Sequence, residues 1–108
     1  MSGRRPPITF ASDARADLRA ILLYTRRTWG PAQRERYAAQ FRRAFDDLRT
    51  FPELGFPRDD FFDGCRACLV QHHMIYFLLL PESIHIVRIL HKSEDAAAKS
   101  GEPAPLWG

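Results

Sequence analysis

Lysine is nearly absent from this chain: Lys92 and Lys99 are the only two, against 14 arginines. A site that needs a cluster of lysines is therefore excluded. Cysteine is as scarce, and Cys65 and Cys68 stand three apart, too close in an extended strand for an ordinary disulfide. They offer no long-range staple, and reduced thiols are expected. No apolar run approaches the roughly 20 residues of a membrane span, and Met1 to Pro7 is not followed by the apolar region of a signal peptide. A cytoplasmic protein with no membrane partner is expected. With 108 residues, the chain has room for one ordinary domain of roughly 100–150 residues and not for two.

What is present has a globular balance, 45% hydrophobic and 27% charged, which argues against disorder and against a fibrous repeat. Charge is unevenly spread. Residues 1–50 hold 11 arginines against 5 acids, whereas residues 51–108 reverse the balance with 5 basic and 8 acidic groups. A basic first half suits nucleic acid or an acidic protein partner, and a solvated arginine face explains it equally well.

The expected order is β-α-α-β-β-β, an α+β fold with a helical hairpin packed on a small, mainly antiparallel sheet. After a basic, proline-rich arm, Ile8 and Phe10 share one face of a first strand at 7–10. Ser12 stands where an N-cap belongs, and Ala14, Leu18, Ile21, Leu22, Thr25 and Trp29 recur at helical spacing over 13–29. Gly30-Pro31 stops that helix and restarts another at once, so the two lie antiparallel. The second, 31–51, sets Arg34, Tyr37, Ala38, Phe41, Ala44, Phe45 and Leu48 along one stripe. Prolines, glycines and the acids Asp59, Asp60 and Asp63 make 51–64 a loop, with Phe56, Phe61 and Phe62 to pin it down. Extended patterns follow at 65–71, 74–80 and 84–91, separated by turns at His72-His73 and Pro81-Glu82-Ser83. The domain is expected to fill 1–95, leaving 96–108 as a C-terminal tail, flexible or docked on a partner.

The segment Ile84 to His91 organises this reading. It is nearly continuous in β-branched apolar residues, as a strand buried on both faces would be, except that Arg88 interrupts it and His91 ends it. A charge inside such a strand must be neutralised, solvated through a cleft or used. Regular alternation would put Arg88 on a face with Ile84, Ile86 and Leu90, and His91 on the other with Val87 and Ile89.

In this order and spacing, several fragments resemble the ParE/RelE superfamily of small bacterial type II toxins, closer to its ParE branch. They are Leu18, Ile21 and Tyr24 leading to Trp29-Gly30, then Gln33 and Tyr37; Pro52-Glu53-Leu54-Gly55 with Arg58; Gly64-Cys65-Arg66; His73-Met74-Ile75-Tyr76; and Ile86 to His91. The resemblance covers about residues 8–92. It implies a toxin neutralised by a cognate antitoxin, whose DNA-binding part lets the complex repress its own operon, so that operator DNA is met only through the antitoxin. It further implies DNA gyrase as target for the ParE branch, or ribosome-dependent cutting of messenger RNA for the RelE branch. A toxin-fold co-repressor without toxicity is a third reading. The turns at His72-His73 and Pro81-Glu82-Ser83 depart from the glycine-rich turns common in the family.

RNA cutting of the RelE kind needs no metal, only an acid or base and cations for the developing phosphate charge. Arg66, Arg88 and His91 are the candidates, yet strand parity separates Arg88 from His91, and no tyrosine ends the final strand. No catalytic residue is therefore assigned, and the gyrase-poison reading, which is not enzymatic, is preferred. Arg66 and Arg88 are better suited to pairing with a carboxylate of the 59–63 loop or of the antitoxin. Cys65, Cys68, His72 and His73 superficially spell a zinc cluster, but a strand would aim the thiols at opposite faces, so neither a metal nor a cofactor is expected. Tyr24, Trp29, Tyr37 and Phe41 could form a base-stacking platform; their helical spacing points instead to core packing. Arg34, Arg42, Arg66, Arg88 and His91 are the residues expected to bind antitoxin or target.

Overall fold

The structure, a computed structural model, describes residues 5–94; the expected 96–108 tail lies outside them. In chain order the elements are β1 (Ile8–Phe10), α1 (Ser12–Trp29), α2 (Pro31–Thr50), a 3-10 turn (Pro52–Leu54), β2 (Phe56–Pro57), β3 (Arg66–Val70), β4 (His73–Leu79) and β5 (Ile84–His91). The strands form one sheet in the order β1-β5-β4-β3-β2, antiparallel except for the β1–β5 pair. The α+β hairpin-on-sheet architecture is thus as the periodicities indicate. Two short elements, the 3-10 turn and β2, lie in the segment read as plain loop, because two paired residues leave no alternation to detect. β4, not β5, is the middle strand, although β5 is interior, between β1 and β4.

Local chemistry explains the hairpin. Gly30 adopts a φ of 95°, which any side chain would resist, and its N–H donates to Arg26 O at 2.9 Å, closing α1. Pro31 then fills the first turn of α2, where an N–H would lack a partner anyway. Ser12 does not cap α1: it is already helical, Ala11 occupies the cap position, and no side chain bonds there. Ala11 N–H instead donates to Ile86 O at 2.9 Å, so the sheet positions the helix start.

The hairpin covers one face of the sheet. Phe41, Leu48, Ile75, Phe77, Ile84, Ile86 and Ile89 are buried there, with Leu18, Ile21 and Phe45 packed around them. The other face carries a smaller cluster of Cys65, Ala67, Met74 and Tyr76, covered by Phe61, Phe62 and Leu90. Phe61 stacks on Tyr76 with centroids 4.2 Å apart. Burial on both faces is why β4 is apolar at every position from Met74 to Leu78. The two thiols belong to different clusters, Cys65 in the second and Cys68 beside the first. Gly55 is buried because Phe77 lies where its side chain would be: a Cβ there would sit 2.5 Å from Phe77 Cζ.

A bulge corrects the parity of β5. Tyr76 pairs with Arg88 but Phe77 pairs with Ile86, so Val87 is one residue extra. Ile84 and Ile86 consequently face the helices together with Ile89, while Arg88 follows Tyr76 to the other side. β1 reaches along β5 only to Ile86, and α1 takes over the remaining edge. There Asp17 accepts the Ile89 N–H at 2.9 Å and both Arg88 Nε, at 2.7 Å, and Arg88 Nη2, at 3.1 Å. The interrupting charge is therefore neutralised from α1, not from the 59–63 loop.

Two stability predictions follow from these contacts. Asp17→Ala leaves both a strand N–H and a guanidinium without an acceptor and is expected to cost about 2–3 kcal/mol, whereas half-exposed Arg88→Ala costs about 1 kcal/mol; urea denaturation of both variants tests that asymmetry. Gly55→Ala forces Phe77 out of its rotamer, and a loss of about 1–3 kcal/mol in the same assay is expected.

Candidate functional site

Chemistry-bearing side chains meet where the β3–β4 turn and the end of β5 approach the helix hairpin. Val70 pairs with His73, which leaves Gln71 and His72 as a two-residue loop. The turn is thus one residue earlier than the sequence pattern suggests, and Gln71 carries its left-handed bend with a φ of 56°. His73 lies in β4, directly opposite His91. Lys92 N–H donates to His72 O at 2.8 Å and fastens the end of β5 to the turn.

Three imidazoles therefore share one corner. The His73 ring meets His91 edge-on with centroids 5.3 Å apart, and His72 lies nearly parallel to His91 at 6.3 Å. Behind them Tyr37 Oη is 2.5 Å from His73 Nδ1 and 3.3 Å from Val70 O. Ser93 N–H donates to His91 Nδ1 at 3.1 Å, so that nitrogen is an acceptor and the neutral ring carries its proton on Nε2. Burial, with His91 and His72 adding to it, pushes His73 down to about 4, and burial also raises the Tyr37 hydroxyl. At neutral pH His73 is an uncharged hydrogen-bonding group.

In front of this corner is an open cleft of about 1140 Å³. α1 contributes Tyr24, Thr25 and Trp29 to its walls, and α2 contributes Gln33, Arg36, Tyr37 and Gln40. The expectation that Tyr24, Trp29, Tyr37 and Phe41 are all core residues holds for the last two, which are buried, and fails for the first two. Tyr24 is 66% and Trp29 69% exposed. Trp29 closes the last turn of α1, where the apolar stripe outruns the core, and Tyr24 lies on the stripe's shoulder.

Of the expected binding residues only His91 reaches this cleft. Arg34 bonds its neighbour Glu35 at 3.0 Å in the first turn of α2, and Arg42 is exposed farther along that helix. Arg66 donates to the carbonyls of Gly55 and Glu53, so backbone, not a carboxylate, receives it. Arg88 is held by Asp17, whose hydrogen bond raises its already high pKa. Arg66 is opposite Phe77 and Arg88 opposite Tyr76, which puts the two on opposite faces of the sheet. Along β4, Phe77 and His73 are four residues apart, about 13 Å, and Arg66 and His91, on the strands either side of β4, are farther apart still. The three residues do not converge on one phosphate.

The sequence reading missed Asp17, His73 and Arg58 as site-forming groups. Arg58, 6% exposed, bonds Asp60 at 2.9 Å and lies over the Tyr76 ring at 5.6 Å, so the acidic loop does hold an arginine, but its own. The spacing Arg58-x-Asp60 was the available signal. Asp17 had none beyond its place early in a helix, because its partner is 71 residues away.

A two-helix hairpin laid on a sheet with one parallel edge strand is the architecture of the RelE/ParE-like toxins. The chain is similar in structure to the chromosomal ParDE toxin-antitoxin system of P. aeruginosa, with a TM-score of 0.68 and 20% identity over 81% of this chain and 96% of that one. It is similar also to the RelBE2 toxin-antitoxin complex of Mycobacterium tuberculosis, with a TM-score of 0.59 and 20% identity over 82% of this chain and 99% of that one. The chain belongs to the ParE toxin family of the type II toxin-antitoxin system parDE, whose model matches residues 8–96. Toxin ParE of Escherichia coli is 34% identical over 85 residues, 78% of this chain and 82% of that protein. Toxin ParE1 of Caulobacter vibrioides is 28% identical over 95 residues, 88% of this chain and 98% of that protein.

The histidine corner has a pH signature. Because His73 binds a proton less readily folded, at about 4, than at its ordinary 6.5, the unfolded state takes up the extra proton as acid is added. Stability is expected to fall as pH drops from about 6.5 towards 4, and His73→Gln should flatten that part of the profile in denaturation midpoints measured across it.

Proposed function

We propose that this chain is a toxin held inactive by a cognate antitoxin and that, when released, it acts on DNA gyrase. The observation that carries this reading is the match of the ParE toxin model across residues 8–96, nearly the whole described domain. The P. aeruginosa structure, a ParDE toxin-antitoxin system, and the M. tuberculosis one, a toxin-antitoxin complex, support an antitoxin partner. Charge supports it as well: Arg26 and Arg27 end α1, and Arg42 and Arg43 are exposed on α2, a surface suited to an acidic segment that orders on binding. Operator DNA then enters only through the antitoxin.

Ribosome-dependent RNA cleavage has less support, because Arg66, Arg88 and His91 are dispersed over two faces and two ends of the sheet. Induced expression is expected to arrest growth, and co-expression of the adjacent small reading frame to relieve the arrest. Cells should filament with an early DNA-damage response while translation continues. Prompt translation arrest would favour the ribonuclease, and unimpaired growth would favour a non-toxic co-repressor.

A further inference from the structure

Tyr24 and Trp29 are the two most exposed large apolar side chains among the described residues, and both border the cleft. Large exposed rings that share one cleft form an apolar patch of the kind that marks an interaction site. What surrounds them is mixed, Ala20 and Ile21 standing among polar groups, and not the continuous dry apolar floor that an aliphatic peptide anchor needs. The back wall is the Tyr37–His73 pair, a hydroxyl on an imidazole held neutral by burial, and the sides carry the amides of Gln40 and Gln71. A carboxamide presents a donor and an acceptor side by side, the pattern of a nucleobase edge. Arg36 brings a guanidinium to the same cleft, steadied by a 3.0 Å bond from its Nε to Gln33, and Arg26 and Arg27 stand in the last turn of α1 beside Trp29.

We propose that this cleft binds a nucleotide unit of a single-stranded nucleic acid, with the base on Trp29, its edge on the glutamine amides and its phosphate on Arg36. Stacking on a solvent-facing ring and charge on a neighbouring arginine are the two forces that hold single strands without strict sequence preference. This proposal does not depend on the antitoxin and gyrase reading, although Arg26 and Arg27 enter both, since binding is read on the purified chain and not through toxicity.

The test uses the full chain with Trp107→Phe, which leaves Trp29 as the only tryptophan. A single-stranded oligodeoxyadenosine of about six nucleotides, within the span of known single-strand sites, is titrated at low salt. Quenching of Trp29 fluorescence is expected. With a fluorescein-labelled oligonucleotide, Trp29→Ala and Arg36→Gln should each weaken binding about tenfold, as loss of a stack or of a phosphate contact does, whereas Arg19→Gln, exposed outside the cleft, should change it by no more than about twofold. Circular dichroism of each variant confirms the fold. The proposal is overturned by absent quenching, by equal affinity in Trp29→Ala, or by an acidic leucine-containing peptide that quenches Trp29 and excludes the oligonucleotide, which would make the cleft a protein-docking site.

Discussion

One carboxylate holds the domain in its shape. β1 covers only the first part of β5, and past Ile86 the inner strand would present bare backbone to the side of a helix. Asp17 fills that gap by receiving the Ile89 N–H and the Arg88 guanidinium together. The Val87 bulge makes this possible, because without the extra residue Arg88 would point with Ile84 and Ile86 into the apolar layer. The orientation of α1 on the sheet, and hence the position of Tyr24 and Trp29 at its far end, depends on that junction.

How much of this was legible in the sequence depended on the range of the interaction. Periodicity reads local geometry, so the two helices, the Gly30-Pro31 break and the bounds of the final strand were all visible. It could not show Val87 as a bulge, since one inserted residue in an apolar run leaves every residue type in place and reverses only the faces. Likewise, Arg88 announced an unmet need for a partner but not which carboxylate meets it. The aromatic residues were misread for a related reason: helical spacing tells which side chains share a face and not where the core beneath that face ends.

The histidines illustrate how context sets chemistry. His85 on β5, 2.8 Å from Thr9 Oγ1, fastens the parallel edge strand by a side-chain bond, whereas His73, at the start of β4, is a half-buried, uncharged hydrogen-bonding partner of Tyr37. The same residue type thus closes one side of the sheet and floors the cleft on the other. Arg58 and Arg66 make the corresponding point for guanidinium, one sheltered over Tyr76 beside Asp60 and one spent on backbone carbonyls. Neither is a free cation awaiting a substrate.

The pairing of β1 with β5 has a consequence for the order of events in synthesis. Ile8 finds its partner only at Ile84, so the first strand made must wait for the last before its edge of the sheet can close. Both the Asp17 junction and the helix-side core share that dependence, since Ile84, Ile86 and Ile89 all belong to the final strand. The helical hairpin can form early, being local, but its apolar face has no complete surface to rest on until β5 has been translated. A nascent chain therefore cannot complete this sheet until β5 has been made, and one cut before Ile84 lacks the strand that both β1 and the helix-side core need.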